Sequence, residues 1–275
     1  MKDKRILITG GSSGIGLALA RRFVSLGSHV CLVARDESNL AAASAELVGL
    51  ASPNGGSVKT YSCDVTLPDC VSDMSESLQN SGFEPDIVVN SAGVARPGYV
   101  EEIPLEVFRW TMDINFHGTV NVIKAFLPAM LQRGSGQIVI FSSIAGVLGV
   151  FGYTAYSGSK YAVRGFSDAL RAELKPRGIH VSIVYPPDTD TPQLHWENQY
   201  KPFETAHIAG SDKPIPADFV AKKVIEGILK KRYVITPGRE ASLYYWMATH
   251  LGNLVYPVMD FLVNNARKAK DKLKK

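Results

Sequence analysis

The sequence predicts an α/β fold, a parallel sheet covered by helices on both faces, and three observations carry that reading. Short apolar strands alternate with helical stretches from Arg5 to Tyr185, the pattern of parallel strands joined by crossover helices. A glycine-rich turn, Thr9-Gly10-Gly11-Ser12-Ser13-Gly14-Ile15-Gly16, stands between the first strand and the first helix. No repeat or low-complexity linker divides the 275 residues, and 45% hydrophobic with 20% charged content is ordinary for one globular core.

The elements justify themselves in order. Arg5–Thr9 is a short apolar strand and Leu17–Leu26 a helix. The glycines between them permit a tight turn and bring backbone N–H groups to a helix N-terminus, where the dipole favours a pyrophosphate. Their spacing is GxxxGxG rather than GxGxxG, so the position between strand and helix carries the argument. His29–Ala34 is the second strand, followed by Arg35-Asp36-Glu37. An acid near this point binds a ribose 2′-OH and an arginine accommodates a 2′-phosphate. Arg35 therefore favours NADP(H) over NAD(H), with Asp36 read as the residue opening the next helix.

Val58–Ser62 is the third strand, ending at Cys63-Asp64-Val65, and a helix follows from about Pro68 to Ser81. Asp86–Asn90 is the fourth, ending in Asn90-Ser91-Ala92-Gly93. One long helix is expected from Leu105 to Gln132, a fifth strand at Gln137–Phe141, a helix at Tyr153–Leu174 and a sixth strand at Ile179–Tyr185. In that last helix Tyr156 and Lys160 fall one turn apart on one face. A neighbouring cation favours the phenolate and is expected to lower the tyrosine pKa, which makes Tyr156 a candidate general acid.

Beyond Tyr185 the alternation breaks. Residues 186–216 hold prolines at 186, 187, 192, 202, 214 and 216, and a stretch this long inside a compact domain is usually functional. A helix resumes at Ala217–Lys231, with Arg232–Thr236 as an edge strand. Ala241–Met259 contains no Asp, Glu, Lys or Arg. It is apolar nearly all round and so needs cover. Its length approaches a membrane span, but Gly252, Asn253 and Pro257 interrupt it.

Composition removes several function classes. Cys31, Cys63 and Cys70 are an odd number without a CxxC, and the six histidines are scattered. A disulfide framework and a structural metal are not expected, and a reducing compartment is. The formal charge of +4 is local: residues 264–275 carry +5, leaving the body near −1. That distribution does not make a nucleic-acid surface. Met1-Lys2-Asp3-Lys4-Arg5 runs directly into the first strand, so no secretory signal is expected there.

Taken together, Thr9-Gly10-x3-Gly14-Ile15-Gly16, Asp64-Val65, Asn90-Ser91-Ala92-Gly93, Asn115, Ser142-Ser143 and Tyr156-x3-Lys160 resemble the short-chain dehydrogenase/reductase family over residues 4–190. The resemblance implies a single-domain Rossmann fold, a doubly wound seven-stranded parallel sheet, with a C-terminal hydrophobic helical extension. It also implies NADPH/NADP as cofactor and carbonyl/alcohol chemistry. Tyr156 would protonate the carbonyl oxygen, and Lys160 would tune it and hold the nicotinamide ribose. Ser143, at the family's spacing from Tyr156, would hydrogen-bond the substrate oxygen, leaving Ser142 to the backbone. Asn115 would hold a water in a proton relay. The cofactor would be lined by Gly10, Ser12, Ser13, Gly14, Ile15, Gly16, Arg35, Asp64, Val65, Asn90, Ala92, Gly93, Tyr156, Lys160, Pro186 and Thr189. Ser91 and Pro187 depart mildly from the usual family residues.

The segment from Tyr185 through Pro192 to Thr205 is similar to that of the 3-ketodihydrosphingosine reductases within the family. That resemblance implies a lipid-like ketone substrate, with Asp188 or Asp190 of the lid (about 187–216) meeting its ammonium; the bland reading makes both acids turn caps. Generic reduction of 3-ketoacyl thioesters or hydroxysteroids is the enzymatic alternative, and a dinucleotide-sensing scaffold the non-enzymatic one. The expected organisation is a catalytic domain at 1–240 and a hydrophobic segment with a basic tail at 241–275. That segment suits either peripheral contact with the cytoplasmic face of a membrane or packing in a homo-oligomer.

Overall fold

The computed structural model describes residues 1–51, 55–209 and 213–273. In chain order the elements are β1 (Arg5–Thr9), α1 (Gly14–Ser25), β2 (His29–Ala34), α2 (Glu37–Ala51), β3 (Ser57–Ser62), α3 (Pro68–Asn80), β4 (Ile87–Asn90) and α4 (Leu105–Met112). They continue with α5 (Gly118–Arg133), β5 (Gly136–Phe141), α6 (Thr154–Leu174), β6 (Ile179–Val184), β7 (Thr189–Asp190), α7 (Pro192–Glu197) and α8 (Phe203–Ala209). The chain ends with β8 (Ile215–Pro216), α9 (Ala217–Leu229), β9 (Val234–Ile235), α10 (Arg239–His250) and α11 (Val255–Leu273).

Seven strands form one parallel sheet in the order β3-β2-β1-β4-β5-β6-β9. The β1 strand explains why the sheet lies in the middle. Ile6, Leu7 and Ile8 are fully buried, and successive side chains point to opposite faces. Ile6 and Ile8 pack with α1, α2 and α9 residues such as Phe23, Leu47 and Val224. Leu7 packs on the other side with Met74, Phe126 and Leu170 of α3, α5 and α6. Each such side chain contributes on the order of 1.5–3 kcal/mol by leaving water. The strand order reverses between β1 and β4, and the crevice beyond their carboxyl ends is where this architecture binds ligands.

Three regions differ from the sequence expectation. The long helix expected over 105–132 is interrupted by a π-helical turn at Asp113–His117. A π turn is rare and occurs as a single turn inside α-helices, so a helix-forming sequence does not by itself call for one. The proline-rich lid is not a loop throughout: it folds as α7, α8 and a two-stranded β7–β8 pair. Pro192 stands in the first turn of α7 and Thr191 caps it through Leu194 N at 3.3 Å, which turns a breaker residue into a helix start. Residues 210–212 of the lid lie outside the described residues.

The third difference is the C-terminal segment. It splits into α10 and α11 at Gly252, whose φ of 53° is left-handed. Among the described residues no helix is long and apolar enough to cross a membrane. The chain itself covers only part of the apolar stretch. Ala241, Val255 and Ala266 are buried and Tyr245 packs on Tyr185, yet Leu243, Trp246, Leu254, Tyr256 and Phe261 are exposed. Lys270 Nζ ties α11 to the lid, 3.1 Å from Glu204 Oε1. Of the basic tail, Lys274 and Lys275 lie outside the described residues.

Candidate active site

The cleft is built on the ends of β1, β4 and β5. Gly10 adopts φ of 65°, and a Cβ there would meet Ala92 Cα and N at 2.9 Å. Only a glycine allows the first turn to lie against the fourth strand's exit. The two are also tied by hydrogen bonds. Ser91 Oγ donates to Thr9 O at 2.5 Å and Ala92 N to Thr9 Oγ1 at 3.2 Å. Gly14 has φ of 52° and lies under Thr191, whose Cγ2 is 3.2 Å from where its Cβ would be. The lid thus closes directly over the glycine turn.

Helix α1 begins there with Ser13 in extended backbone, no side-chain cap and no acid in its first turn, leaving the positive end of the helix facing the turn beside Ser12 and Ile15. At the β2 end, Asp36 accepts from Ser38 Oγ at 2.6 Å and Asn39 N at 2.8 Å, which commits it to α2. Arg35 stays exposed, 3.8 Å from Asp64. Asp64 otherwise holds Thr66, and Val65 O accepts from Asn121 Nδ2 at 3.0 Å. Asn90 Oδ1 is buried with no partner among the described residues. Pro186 and Thr189 lead into the lid, Thr189 Oγ1 donating to Pro187 O at 2.8 Å. An extended dinucleotide fits this cradle: a side-chain-free turn, an open helix N-terminus, an exposed arginine at the second strand and an unsatisfied amide at the fourth.

The reacting groups sit at the β5 end. Ser143 Oγ accepts from Ala145 N at 3.1 Å and lies close enough to Tyr156 to favour its phenolate. Ser142 is spent on structure, donating to Lys160 O at 3.0 Å. Lys160 is 4% exposed and its Nζ donates to Phe141 O at 2.8 Å. Asn115 lies on the π-helical turn, and both ends of its amide are engaged. Its Oδ1 accepts from Val94 N at 2.8 Å, while Nδ2 donates to Val94 O and Ser159 Oγ, each at 2.9 Å. These contacts fix the amide and leave Oδ1 a second lone pair, so they do not conflict with the expected place of Asn115 in a water relay. The amide stitches the segment after β4 to α6, with Gly93 packed between Asn115 Oδ1 and Lys160 Nζ.

The electrostatics correct the expectation for Tyr156. Its phenol is pushed above the ordinary tyrosine range, first by desolvation, then by Glu197, with Ser143 opposing and Asp188 adding to the rise. Lys160 falls to about 8 because burial disfavours its charge, with Glu197 acting against that fall. Its ammonium donates to a backbone carbonyl and lies 5.5 Å from the centre of the Tyr156 ring. A neutral phenol is nonetheless the form a proton donor needs.

A model of the short chain dehydrogenase family matches residues 4–201. The chain belongs to the short-chain dehydrogenase family. As a member it is an oxidoreductase acting on alcohol and ketone groups. It is 38% identical over 244 residues to the 3-dehydrosphinganine reductase of Danio rerio, covering 88% of this chain and 74% of that protein. It is 38% identical over 277 residues to the 3-ketodihydrosphingosine reductase of Dictyostelium discoideum, covering 96% and 83%. Among solved structures, a short-chain dehydrogenase from Sphingobium yanoikuyae in complex with NADPH superposes with a TM-score of 0.77 at 26% identity, covering 94% of this chain and 95% of that one.

In this short-chain dehydrogenase the lid contributes a residue that sequence reasoning missed. Glu197 ends α7, is 7% exposed, and accepts from Tyr153 Oη at 2.9 Å and Gln193 Nε2 at 2.7 Å. The acids singled out from the sequence point elsewhere. Asp190 pairs with His195 at 2.9 Å and Asp188 with Lys201 at 3.3 Å, and both are largely exposed. No local pattern marks Glu197, because it lies far along the chain from Tyr156 and only the fold brings the two together.

Proposed function

We propose that the protein reduces the ketone of 3-ketodihydrosphingosine to dihydrosphingosine with NADPH. The observation that carries this reading is the 38% identity to the Dictyostelium 3-ketodihydrosphingosine reductase over 96% of the chain, an extent that takes in the lid and the C-terminal helices. The NADPH complex of the Sphingobium structure supports the cofactor, as does Arg35 at the end of β2 with Asp36 already used as a cap.

Bound at the glycine turn, NADPH supplies the hydride. The protein's own part is to place and protonate the ketone. Ser143 donates to the carbonyl oxygen and the neutral Tyr156 gives its proton as that oxygen gains charge. Lys160, set by Phe141 O, presents a buried cation beside Tyr156 and the cleft. Trp110 and Trp196, 6.3 Å apart, line a groove of about 260 Å³ with Arg96, Glu106 and Val107, apolar wall suited to an alkyl chain.

NADPH oxidation with 3-ketodihydrosphingosine beside acetoacetyl-CoA tests the reading. Turnover of the sphingoid ketone is expected. Preference for the thioester would make it a ketoacyl reductase, and no turnover of either would leave a dinucleotide-binding scaffold. Arg35→Ala is expected to weaken NADPH binding by about 10–100-fold, the equivalent of one charge-assisted contact to the 2′-phosphate, with NADH binding unchanged. Equal titration curves for NADPH in the two proteins would place the phosphate elsewhere.

The protein is further proposed to work at the cytoplasmic face of a membrane. Leu254, Tyr256 and Phe261 stand exposed on the C-terminal helices, and Arg267, Lys268 and Lys272 follow them on α11, pairing apolar area with charge that suits anionic lipid. Co-sedimentation with vesicles containing phosphatidylserine is expected, and Leu254→Ser/Phe261→Ser is expected to lose it with reductase activity retained. A stable dimer that ignores vesicles and is dissociated by the same pair would assign this face to a second copy of the chain.

A further inference from the structure

The lid places one acid where the proposed substrate carries a cation. Glu197 is buried, and its direct hydrogen-bond partners, Tyr153 and Gln193, are both neutral. Lys201 of the lid acts on Glu197 through space but makes its own ion pair with Asp188 at 3.3 Å. A carboxylate taken out of water without a contacting cation is costly, and such a cost usually marks a functional group. Its direction is toward the chemistry. Tyr153, which donates to Glu197, has its ring 5.8 Å from that of Tyr156, and the Glu197 charge acts on both Tyr156 and Lys160.

We propose that Glu197, held on α7 by Tyr153 and Gln193, binds the ammonium of a 2-amino-3-ketone and selects amino ketones over plain ketones. The proposal rests on the sphingoid reading of the substrate. In such a molecule the amine-bearing carbon adjoins the carbonyl carbon. When the ketone oxygen meets Ser143 and Tyr156, the ammonium lies within a few bonds of the phenol, on the side a neighbouring acid has to occupy to reach it. Burial holds the Glu197 carboxyl above its usual range in the free protein. An incoming ammonium reverses that, so charge forms in the pocket together with the substrate. Asp188, exposed and engaged by Lys201, adds negative potential at the rim without a direct role.

The test compares wild type with Glu197→Gln on two substrates with NADPH: the long-chain 2-amino-3-ketone, and the same ketone with hydrogen in place of the amine. The amide keeps both present contacts, accepting from Gln193 and donating to the Tyr153 oxygen, so the lid has no reason to unfold. For the amino ketone, kcat/KM is expected to fall by roughly 10–100-fold, mainly through KM, the loss of one charge-assisted contact. For the plain ketone the loss is expected to be at least about fivefold smaller and to fall on kcat rather than KM, through the charge Glu197 sets on Tyr156 and Lys160, a split that a merely structural role would not produce. Equal losses on both ketones, or no loss on either, would overturn the assignment while leaving the sphingoid reading intact. Failure of wild type to prefer the amino ketone at all would remove that reading and this inference together.

Discussion

Replacing Tyr156 by phenylalanine is expected to lower kcat by about 10²–10⁴-fold, the range over which a positioned proton donor acts, while NADPH binds as before. The phenol is the donor nearest the place where charge develops, and its proton is retained because burial and Glu197 both resist ionisation. Phenylalanine preserves the ring and its contact with Tyr153 and removes only the hydroxyl. Ser143 remains and still donates to the carbonyl oxygen, which accounts for residual turnover. Stopped-flow hydride transfer and cofactor fluorescence separate the two quantities. A variant that turns over at the wild-type rate would move the acid role to another group, with Glu197 the first to examine.

Gly16→Ala is expected to abolish NADPH binding and to destabilise the fold, although it adds a single methyl in a helix where alanine is otherwise preferred. A Cβ at Gly16 would stand 2.9 Å from Gly10 C and 2.9 Å from Ser91 Oγ, and closer still to Gly10 O. Those atoms are the floor of the turn and cannot retreat, since Ser91 is bonded to Thr9 O and Gly10 abuts Ala92. Overpacking of this kind costs about 1–3 kcal/mol. The displaced turn then no longer fits a pyrophosphate. Thermal denaturation and NADPH titration are the measurements, and a variant with the wild-type Tm and affinity would show that the turn has room the structure denies. Gly158→Ala on α6 is the matched control, because a Cβ there meets nothing within 4 Å.

The glycine turn, the alternation of elements and the Tyr156–Lys160 spacing were legible because each is a local property. A turn with φ above zero and backbone packed against it favours glycine, a buried parallel strand is a short apolar run, and two residues four apart on a helix share a face. Ser142 and Ser143 are adjacent in sequence and opposite in use, and only the partner each one finds, Lys160 O or the Tyr156 phenol, tells them apart. The contacts of the Asn115 amide with Val94 and Ser159 are made between separate parts of the chain, so they were invisible in the sequence. The apolar character of α10 and α11 was legible too, but not that the rest of the chain leaves it exposed. Hydropathy says that a segment wants cover, not whether the rest of the chain supplies it.

The amino-acid sequence by itself determined the doubly wound sheet, the cradle at Gly10–Gly16 and the placing of Tyr156 one helical turn from Lys160. These follow from backbone sterics and from side-chain period, which act within a few residues. Tertiary structure decided how those groups are charged and what they face. Burial brings Lys160 down to about 8 and aims it at Phe141 O, and the folded lid carries Glu197 to Tyr153 beside the phenol. Desolvation and through-space charge depend on which atoms surround a group, and that is known only when distant parts of the chain have come together.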